Sequence, residues 1–346
     1  MYGYATGGVG TFSGGGFSLA DFRGVSYTAT TNSSEDKSGC ADQHSDPIEI
    51  SYGAKVETQT LFALPSEMGL RYALYYSSVR SNAFQAYTSD NLDYQLNLDC
   101  NGQDGICEYV TFVRPDGSSI VFSGRPSAYG AFPEVGGGGL ATLTHNSDGT
   151  WTLRDEDGTT QTYVPNGYGD SFLTSIKDAS GVGWTITRSN GSVSTTVTVT
   201  HTDGQSFTAV YQDNIVSGKF TGSTVTVTDP AGNVYTYITN PSGNITRETL
   251  PGSPQTIVTY TYADPGVELT EVDYNATPYS YTTYNSGRQA TGTHLADGSD
   301  TTSIIYSYPA GGEMTAAITN PLGHTTVQQY VSANSPSGTR TTDLCQ

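Results

Sequence analysis

Turn signals recur along most of this chain at a nearly fixed spacing, and that rhythm limits what it can fold into. From about residue 141 they fall at Asp148-Gly149, Asp157-Gly158, Asn166-Gly167, Asp178-Ala-Ser-Gly181, Asn190-Gly191 and Asp203-Gly204. They continue at Asp229-Pro-Ala-Gly232, Asn240-Pro-Ser-Gly243, Pro251-Gly252, Asp264-Pro-Gly266, Asn285-Ser-Gly287, Asp297-Gly298, Pro309-Ala-Gly-Gly312, Asn320-Pro-Leu-Gly323 and Ser335-Pro-Ser-Gly338. Most successive glycines stand roughly 9 to 14 residues apart, the length of one strand and its turn. Between the turns the period is two. Val197-Thr-Val-Thr-His-Thr leads into Asp203-Gly204 and returns as Gln205-Ser-Phe-Thr-Ala-Val-Tyr. Asp-Gly tolerates the positive φ of a two-residue type I′ turn, so a hairpin of that type is expected there. Thr224-Val-Thr-Val-Thr, Val234-Tyr-Thr-Tyr-Ile-Thr and Ile257-Val-Thr-Tyr-Thr-Tyr repeat the pattern. A lone hairpin is marginal in water, so such units must pair side by side. No window holds apolar residues at i, i+3, i+4 and i+7 for three turns, and a nearly helix-free chain is expected.

Composition agrees. Gly (41) and Tyr (25) are abundant, and only 14% of residues are charged, against roughly 25% in ordinary domains. The net charge of −19 opposes binding to phosphate backbones or anionic membranes. No apolar run approaches the roughly 20 residues of a membrane helix. Neither nucleic acid nor membrane insertion is therefore expected. The start, Met1-Tyr-Gly-Tyr-Ala-Thr-Gly-Gly, lacks a basic region followed by an apolar core and does not read as a signal peptide. A mature form or a fragment of an exported protein is expected.

Three regions are distinguished. Residues 1–45 form a Gly/Ser/Thr-rich arm with many aromatics, 46–140 an N-terminal β domain, and 141–346 the hairpin repeats. In the arm, Phe17 and Leu19, then Val25, Tyr27 and Ala29, occupy alternate positions, with Phe22 between. An extended arm of this kind can add to the exposed edge of a neighbour's sheet. In the second region, Tyr109-Val-Thr-Phe-Val and Ser119-Ile-Val-Phe flank Arg114-Pro-Asp-Gly117 as a hairpin. Four cysteines, Cys40, Cys100, Cys107 and Cys345, include no Cys-x-x-Cys pair and no His at a zinc-like spacing. An even count suits two disulfides in an oxidising compartment. Cys100 and Cys107 flank the turn-forming Asn101–Ile106 and would staple a hairpin, leaving Cys40 for Cys345. Four cysteines allow three pairings, and four free thiols remain the other reading.

The repeats resemble the YD-repeat (Rhs-type) family of bacterial surface and secreted proteins. The similar segments are Asp229–Thr246, Tyr281-Thr-Thr-Tyr-Asn-Ser-Gly-Arg288, Tyr306-Ser-Tyr-Pro-Ala-Gly-Gly312 and Thr319-Asn-Pro-Leu-Gly-His-Thr-Thr326. Asp46–Thr58 looks like the segment that opens the family's N-terminal β domain, and the likeness extends over residues 46–340. The Tyr-Asp dipeptide itself is eroded to Tyr-Asn, Tyr-Ala, Tyr-Pro and Tyr-Ile. Large members wrap many repeats into a closed shell that carries a toxin. About ten hairpins are too few for that, so the resemblance implies an all-β, long, curved sheet of antiparallel hairpins.

Chemistry-bearing patterns are sparse. His44, His145, His201, His294 and His324 are scattered and read as solvent-facing strand or turn residues. There is no Gly-x-Ser-x-Gly elbow and no phosphate-cradling loop leading into a helix. Asp155-Glu-Asp-Gly158 has a calcium-loop look but lacks the distal ligands and reads as a hairpin turn. The Asn-x-Ser/Thr triplets at Asn32, Asn190, Asn244 and Asn275 are common in such Thr/Ser-rich sequence. Rows of Tyr are expected to be exposed, holding the sheet together across strands or offering a platform to a ligand. No catalytic, cofactor or metal site is expected. The expected function is a non-enzymatic extracellular or cell-surface structural protein that associates with itself, in a filament or surface assembly, through sheet edges and the arm. The competing readings are a Tyr-rich adhesin for carbohydrate or protein, and a shell fragment of a longer toxin carrier.

Overall fold

The computed structural model describes residues 47–79, 87–100, 107–123, 129–135, 140–165, 170–263, 266–309 and 313–331. Among them there are 25 strands and no helix. The first four are β1 (Ile48–Glu49), β2 (Ala54–Ala63), β3 (Arg71–Ser77) and β4 (Thr88–Asp90), a four-stranded sheet in that order. β5 (Gln95–Cys100), β6 (Cys107–Val113), β7 (Ser119–Ser123), β8 (Gly130–Phe132), β9 (Thr142–His145), β10 (Trp151–Arg154), β11 (Thr160–Pro165) and β12 (Asp170–Lys177) follow. Then come β13 (Gly183–Asn190), β14 (Ser194–His201), β15 (Ser206–Val216), β16 (Lys219–Thr228), β17 (Val234–Thr239), β18 (Ile245–Leu250) and β19 (Thr256–Tyr262). The last are β20 (Leu269–Tyr274), β21 (Thr277–Tyr284), β22 (Ala290–Leu295), β23 (Thr302–Ser307), β24 (Glu313–Thr319) and β25 (Thr325–Val331). The fold is all-β, built of long antiparallel sheets.

The chain divides into two compact units. One contains the described residues among 59–74 and 89–237, the other those among 47–58, 75–88 and 238–331. In the unit of residues 59–74 and 89–237, β12 is a branch point. Its residues Asp170–Phe172 pair with Asn97–Gln95 of β5, and Ser175–Lys177 pair with Thr185–Gly183 of β13. The path from β5 to β7, across the Phe122–Glu134 bridge to β8 and on to β12, thus returns to β5. β13, β14, β15 and β16 leave this circuit as a linear series of antiparallel pairs. Alternation does the packing. On β14 to β17, Val197, Val199, Phe207, Ala209, Val225, Val227, Tyr235 and Tyr237 are buried while their neighbours in sequence are not. Phe207 meets Phe62 edge-on at 5.3 Å and Tyr72 at 5.8 Å, pairs that add about 0.5–1.5 kcal/mol each beyond their buried area.

In the other unit, Ile48 and Ile50 pack with Ala290, Ile304, Met314, Ala316, Ile318 and Tyr330. A second cluster joins Tyr76, Val258, Leu269 and Val272. Gly53 sits between β1 and β2 at φ 66°. A Cβ there would lie 2.6 Å from that of Gln289, and the Gly53 carbonyl accepts the Ala290 amide at 2.7 Å. Only glycine permits both the left-handed backbone and this approach.

The turns stand where the Asp/Asn and Gly signals place them, but their type differs from expectation. At Asp203-Gly204 the His201 amide donates to Gln205 O and the Gly204 amide to His201 O. Of this turn only Gly204 has positive φ. This is a three-residue loop, a type I turn closed by a left-handed glycine, not a two-residue type I′ turn. The same pattern recurs at Arg114–Ser118, Asn146–Thr150, Asp155–Thr159 and Leu295–Ser299. In each, the Asp before the Gly accepts the amide two residues on, as Asp148 does from Thr150 at 3.0 Å and Asp297 from Ser299 at 2.9 Å. In a second group, the Asp or Asn at the first position caps the loop. Asp229 Oδ1 accepts from Ala231 and Asn233, and Asn240, Asn285 and Asn320 do the same in their loops. Two-residue tips occur at Ser217-Gly218 and Asn275-Ala276, with φ of 51° and 77°, then 51° and 61°.

Candidate functional site

The polar interior is the most concentrated chemistry among the described residues, and it lies where β3, β4, β15 and β17 bring tyrosines onto one carboxylate. Asp90 is 3% exposed. Its Oδ2 accepts the Tyr72 hydroxyl at 2.7 Å and the Tyr211 hydroxyl at 2.5 Å, and its Oδ1 accepts the Leu92 amide at 2.8 Å. Both of those phenol protons are spent on Asp90. Tyr237, 2.9 Å from the Tyr72 oxygen, is therefore the donor in that pair. Burial first, then the negative charge of Asp90, pushes the Tyr72 and Tyr211 phenols well above their ordinary range. They stay neutral donors at any physiological pH. This constellation ties four separate segments together; it offers no ionised nucleophile.

A second polar interior occupies the unit that holds residues 47–58, 75–88 and 238–331. The Tyr76 hydroxyl donates to Val267 O at 2.6 Å and accepts the Leu269 amide at 2.9 Å. Glu248, 1% exposed, accepts the Tyr260 hydroxyl at 3.1 Å on Oε1, while its Oε2 has no partner. Burial holds the Glu248 carboxyl up at about 7, Tyr260 pulling it down and the charge of Glu57 adding to the rise. Glu268 is ion-paired with Arg288. Lys55 is fully buried, its Nζ 2.5 Å from Glu57 Oε1. These groups were not singled out in the sequence. Lys55 sits in an alternating strand where a charge ordinarily faces water.

The Asp155 turn is a clasp. Arg114, at the first position of its own turn, donates through Nε and Nη2 to the two Asp155 oxygens at 3.1 and 2.5 Å. Its guanidinium lies 5.2 Å over the Phe112 ring. Burial pulls the Arg114 pKa down, but the Asp155 hydrogen bonds and charge more than offset it. The carboxylate that gave the segment its calcium-loop look is thus engaged by a guanidinium. Arg114→Met should cost roughly 2–3 kcal/mol, because it strands a buried carboxylate. Urea unfolding followed by tryptophan fluorescence measures this, since Trp151 and Trp184 both lie in that unit. An unchanged midpoint would contradict the clasp.

The histidines correct the surface expectation. His201 is 6% exposed, with Nε2 3.0 Å from Glu67 O and Nδ1 2.9 Å from Asp203 Oδ1. His145 stacks on Trp151 with ring centroids 4.1 Å apart. The tyrosines correct it as well. Tyr72, Tyr76, Tyr163, Tyr235, Tyr237 and Tyr330 are buried, whereas Tyr109, Tyr129 and Tyr308 are exposed as expected. An exposed set remains at the β20–β21 tip. Tyr274 and Tyr279 meet edge-on at 5.1 Å and are 38% and 50% exposed. The tip is pinned by paired bonds between Asn275 and Ile257.

The arm residues Phe17, Leu19, Phe22, Val25 and Tyr27, together with Cys40, Cys345 and His44, lie outside the described residues. Cys100 and Cys107 are backbone register partners at the loop end of the β5–β6 ladder, next to a bulge at Asp99/Cys100, and no disulfide is seen among the described residues. No curated protein matches the chain. A family model described as a domain of unknown function, DUF6531, matches residues 45–122, a stretch running from just before β1 into β7.

Proposed function

We propose that the chain is a non-enzymatic structural protein of the cell surface or extracellular space, made of YD-type hairpin repeats and assembling with copies of itself. One observation carries the reading: the polar groups of the Asp90 network, the Arg114–Asp155 clasp and the turns are engaged in holding strands and loops together. Asp90 is used by two tyrosines and an amide, Asp155 by Arg114, and the turn aspartates by their own loops. Two recurring loop designs, each capped by Asp or Asn, suit a repeat protein whose units stabilise one another. The DUF6531 match falls on the segment that resembles the opening domain of YD-repeat proteins.

In this proposal the N-terminal arm joins one copy to the next by strand addition. Light scattering on the full chain and on residues 31–346 tests it. The full chain should be oligomeric and the truncated chain monomeric. A full chain that is monomeric at high concentration, or a truncated chain that keeps the oligomer, would overturn it. The exposed, edge-on pair Tyr274 and Tyr279 favours a second reading, a sugar-binding platform. Binding on a glycan array that is lost in Tyr279→Ala would establish that reading, and an empty array would remove it.

A further inference from the structure

The outer face of β20 to β22, beside the Tyr274–Tyr279 pair, gathers hydrogen-bond acceptors next to exposed rings. Residues directly opposite each other in a ladder share a face. Tyr281 stands opposite Glu271 on β20 and opposite His294 on β22, so these three form one row. The β20–β21 ladder then shifts register. Val272 faces Ser280 and Asp273 faces Pro278, which leaves Tyr279 as the extra residue of a bulge. Val272 and Ser280 are buried. Side chains alternate along a strand, so their neighbours Glu271, Asp273, Tyr279 and Tyr281 all turn outward.

The fold leaves this face short of donors. Among the described residues Asp273 receives no hydrogen bond, and its Oδ1, shielded from water, has no partner. Buried polar atoms in native folds are ordinarily satisfied, so an acceptor left over needs an explanation. Desolvation first, then the charges of Glu271 and Asp273, raises the Tyr281 phenol, so both carboxylates lie near that ring. His294 donates through Nδ1 to Leu295 O at 2.9 Å, and its ring centroid is 5.2 Å from that of Tyr281. In the neutral imidazole Nε2 is then an acceptor. The one permanent cation in these two rows is Arg247, separated from Asp273 by Thr259 of β19 and ion-paired with neither carboxylate.

A neutral sugar needs a ring to lie on and partners for its hydroxyls. Two carboxylates beside exposed aromatic rings add attraction for a positive charge, through Coulomb pairing and through the ring faces. A ligand that satisfies both demands is a saccharide carrying a free ammonium group. We propose that the face formed by Tyr279, Tyr281, Glu271 and Asp273 binds amine-bearing sugars, hexosamine units whose amino group is not acetylated. The sugar ring lies against Tyr279, the ammonium pairs with Asp273 and Glu271, and a ring hydroxyl donates to His294 Nε2. This proposal rests on the sugar-platform reading above and narrows it to one class of sugar.

Calorimetric titration of the full chain at about pH 6.5, where an amine is charged, tests it with three probes: a glucosamine tetramer, its fully N-acetylated counterpart and tetralysine. The glucosamine tetramer should bind roughly ten-fold tighter than either of the others. Asp273→Asn should weaken that binding about ten-fold, and Tyr279→Ala should abolish it. Asp213→Asn, which removes an exposed charge in the other unit, should leave it unchanged. Circular dichroism verifies the fold of each variant. An acetylated tetramer that binds as tightly as the free amine, with Tyr279→Ala still abolishing both, would overturn the amine preference and leave the platform standing. Tetralysine binding as tight as that of the sugar, or an equal loss in Asp213→Asn, would show general charge attraction and overturn the site. A chain that binds neither sugar would overturn the platform as well.

Discussion

Replacing Asp90 by alanine should cost roughly 3–5 kcal/mol, one of the largest single-residue losses in this protein. The carboxylate is buried and receives three donors: the Tyr72 and Tyr211 hydroxyls and the Leu92 amide. Alanine removes the acceptor and leaves these donors in a site that water cannot reach. Each unmet buried donor costs about 1–3 kcal/mol. The Tyr237 hydroxyl is affected at one remove, since it donates to a Tyr72 oxygen no longer held in place. Tyr72→Phe and Tyr211→Phe should each cost less, about 1–2 kcal/mol, because one donor is lost and the carboxylate keeps the other two. The double variant Asp90→Ala with Tyr72→Phe should be less destabilised than the sum of the singles, the mark of groups acting as one network. Urea midpoints read by tryptophan fluorescence measure all four variants in the unit that contains the network. A loss below about 1 kcal/mol for the alanine variant would show that the carboxylate is not the hub described.

That hub illustrates where reading the sequence stops. The turns were legible because their causes are local. Asp or Asn before Gly accepts a backbone amide within its own loop, and glycine takes the left-handed φ. The strands β14, β15, β17 and β19 were legible because Val, Thr and Tyr alternate there with a buried face. The loop type at Asp203-Gly204 was not legible, because the same dipeptide serves a two-residue tip and a three-residue loop. What decides is whether His201 closes on Gln205, and that depends on the register of the flanking strands. Tyrosine rows were legible as rows, but not the side they face. Tyr237 and Tyr279 sit in similar Tyr/Thr contexts, yet one is 5% and the other 50% exposed. Asp90 carried no signal, since its partners stand 18 and 121 residues away along the chain. Lys55 and Glu248 broke the local rule that charges in strands face water. Sites where such a rule fails are where a fold has spent stability on something else.

Glu248 is such a site, and its pH dependence runs opposite to that of an ordinary paired carboxylate. Burial lifts the folded carboxyl from 4.5 to about 7, against the pull of the Tyr260 hydroxyl and with the Glu57 charge assisting. Below about pH 4.5 the group is protonated in both the folded and the unfolded chain and costs nothing. Between about 4.5 and 7 the unfolded chain gives up this proton and the folded chain keeps it, so stability falls as pH rises. Above about 7 the loss levels off at up to ~3 kcal/mol. Glu248→Gln keeps the oxygen that accepts Tyr260 and removes the ionisation. It should therefore match the parent at pH 4.5 and exceed it by up to about 3 kcal/mol at pH 8. Tyr260→Phe should do the reverse, removing the hydroxyl that favours the charged form and deepening the loss at pH 8 more than at pH 5. The groups facing this site are Tyr260 and Tyr262 from β19, Glu57 from β2 with its partner Lys55, and Tyr76 from β3. The Tyr260 and Tyr262 phenols are held far up by burial and do not titrate in this range. Urea unfolding of the parent and both variants, followed by far-ultraviolet circular dichroism at pH 4.5, 6, 7 and 8, separates the cases. A Glu248→Gln variant whose advantage is the same at every pH would mean that the gain comes from packing and that Glu248 ionises freely in the fold.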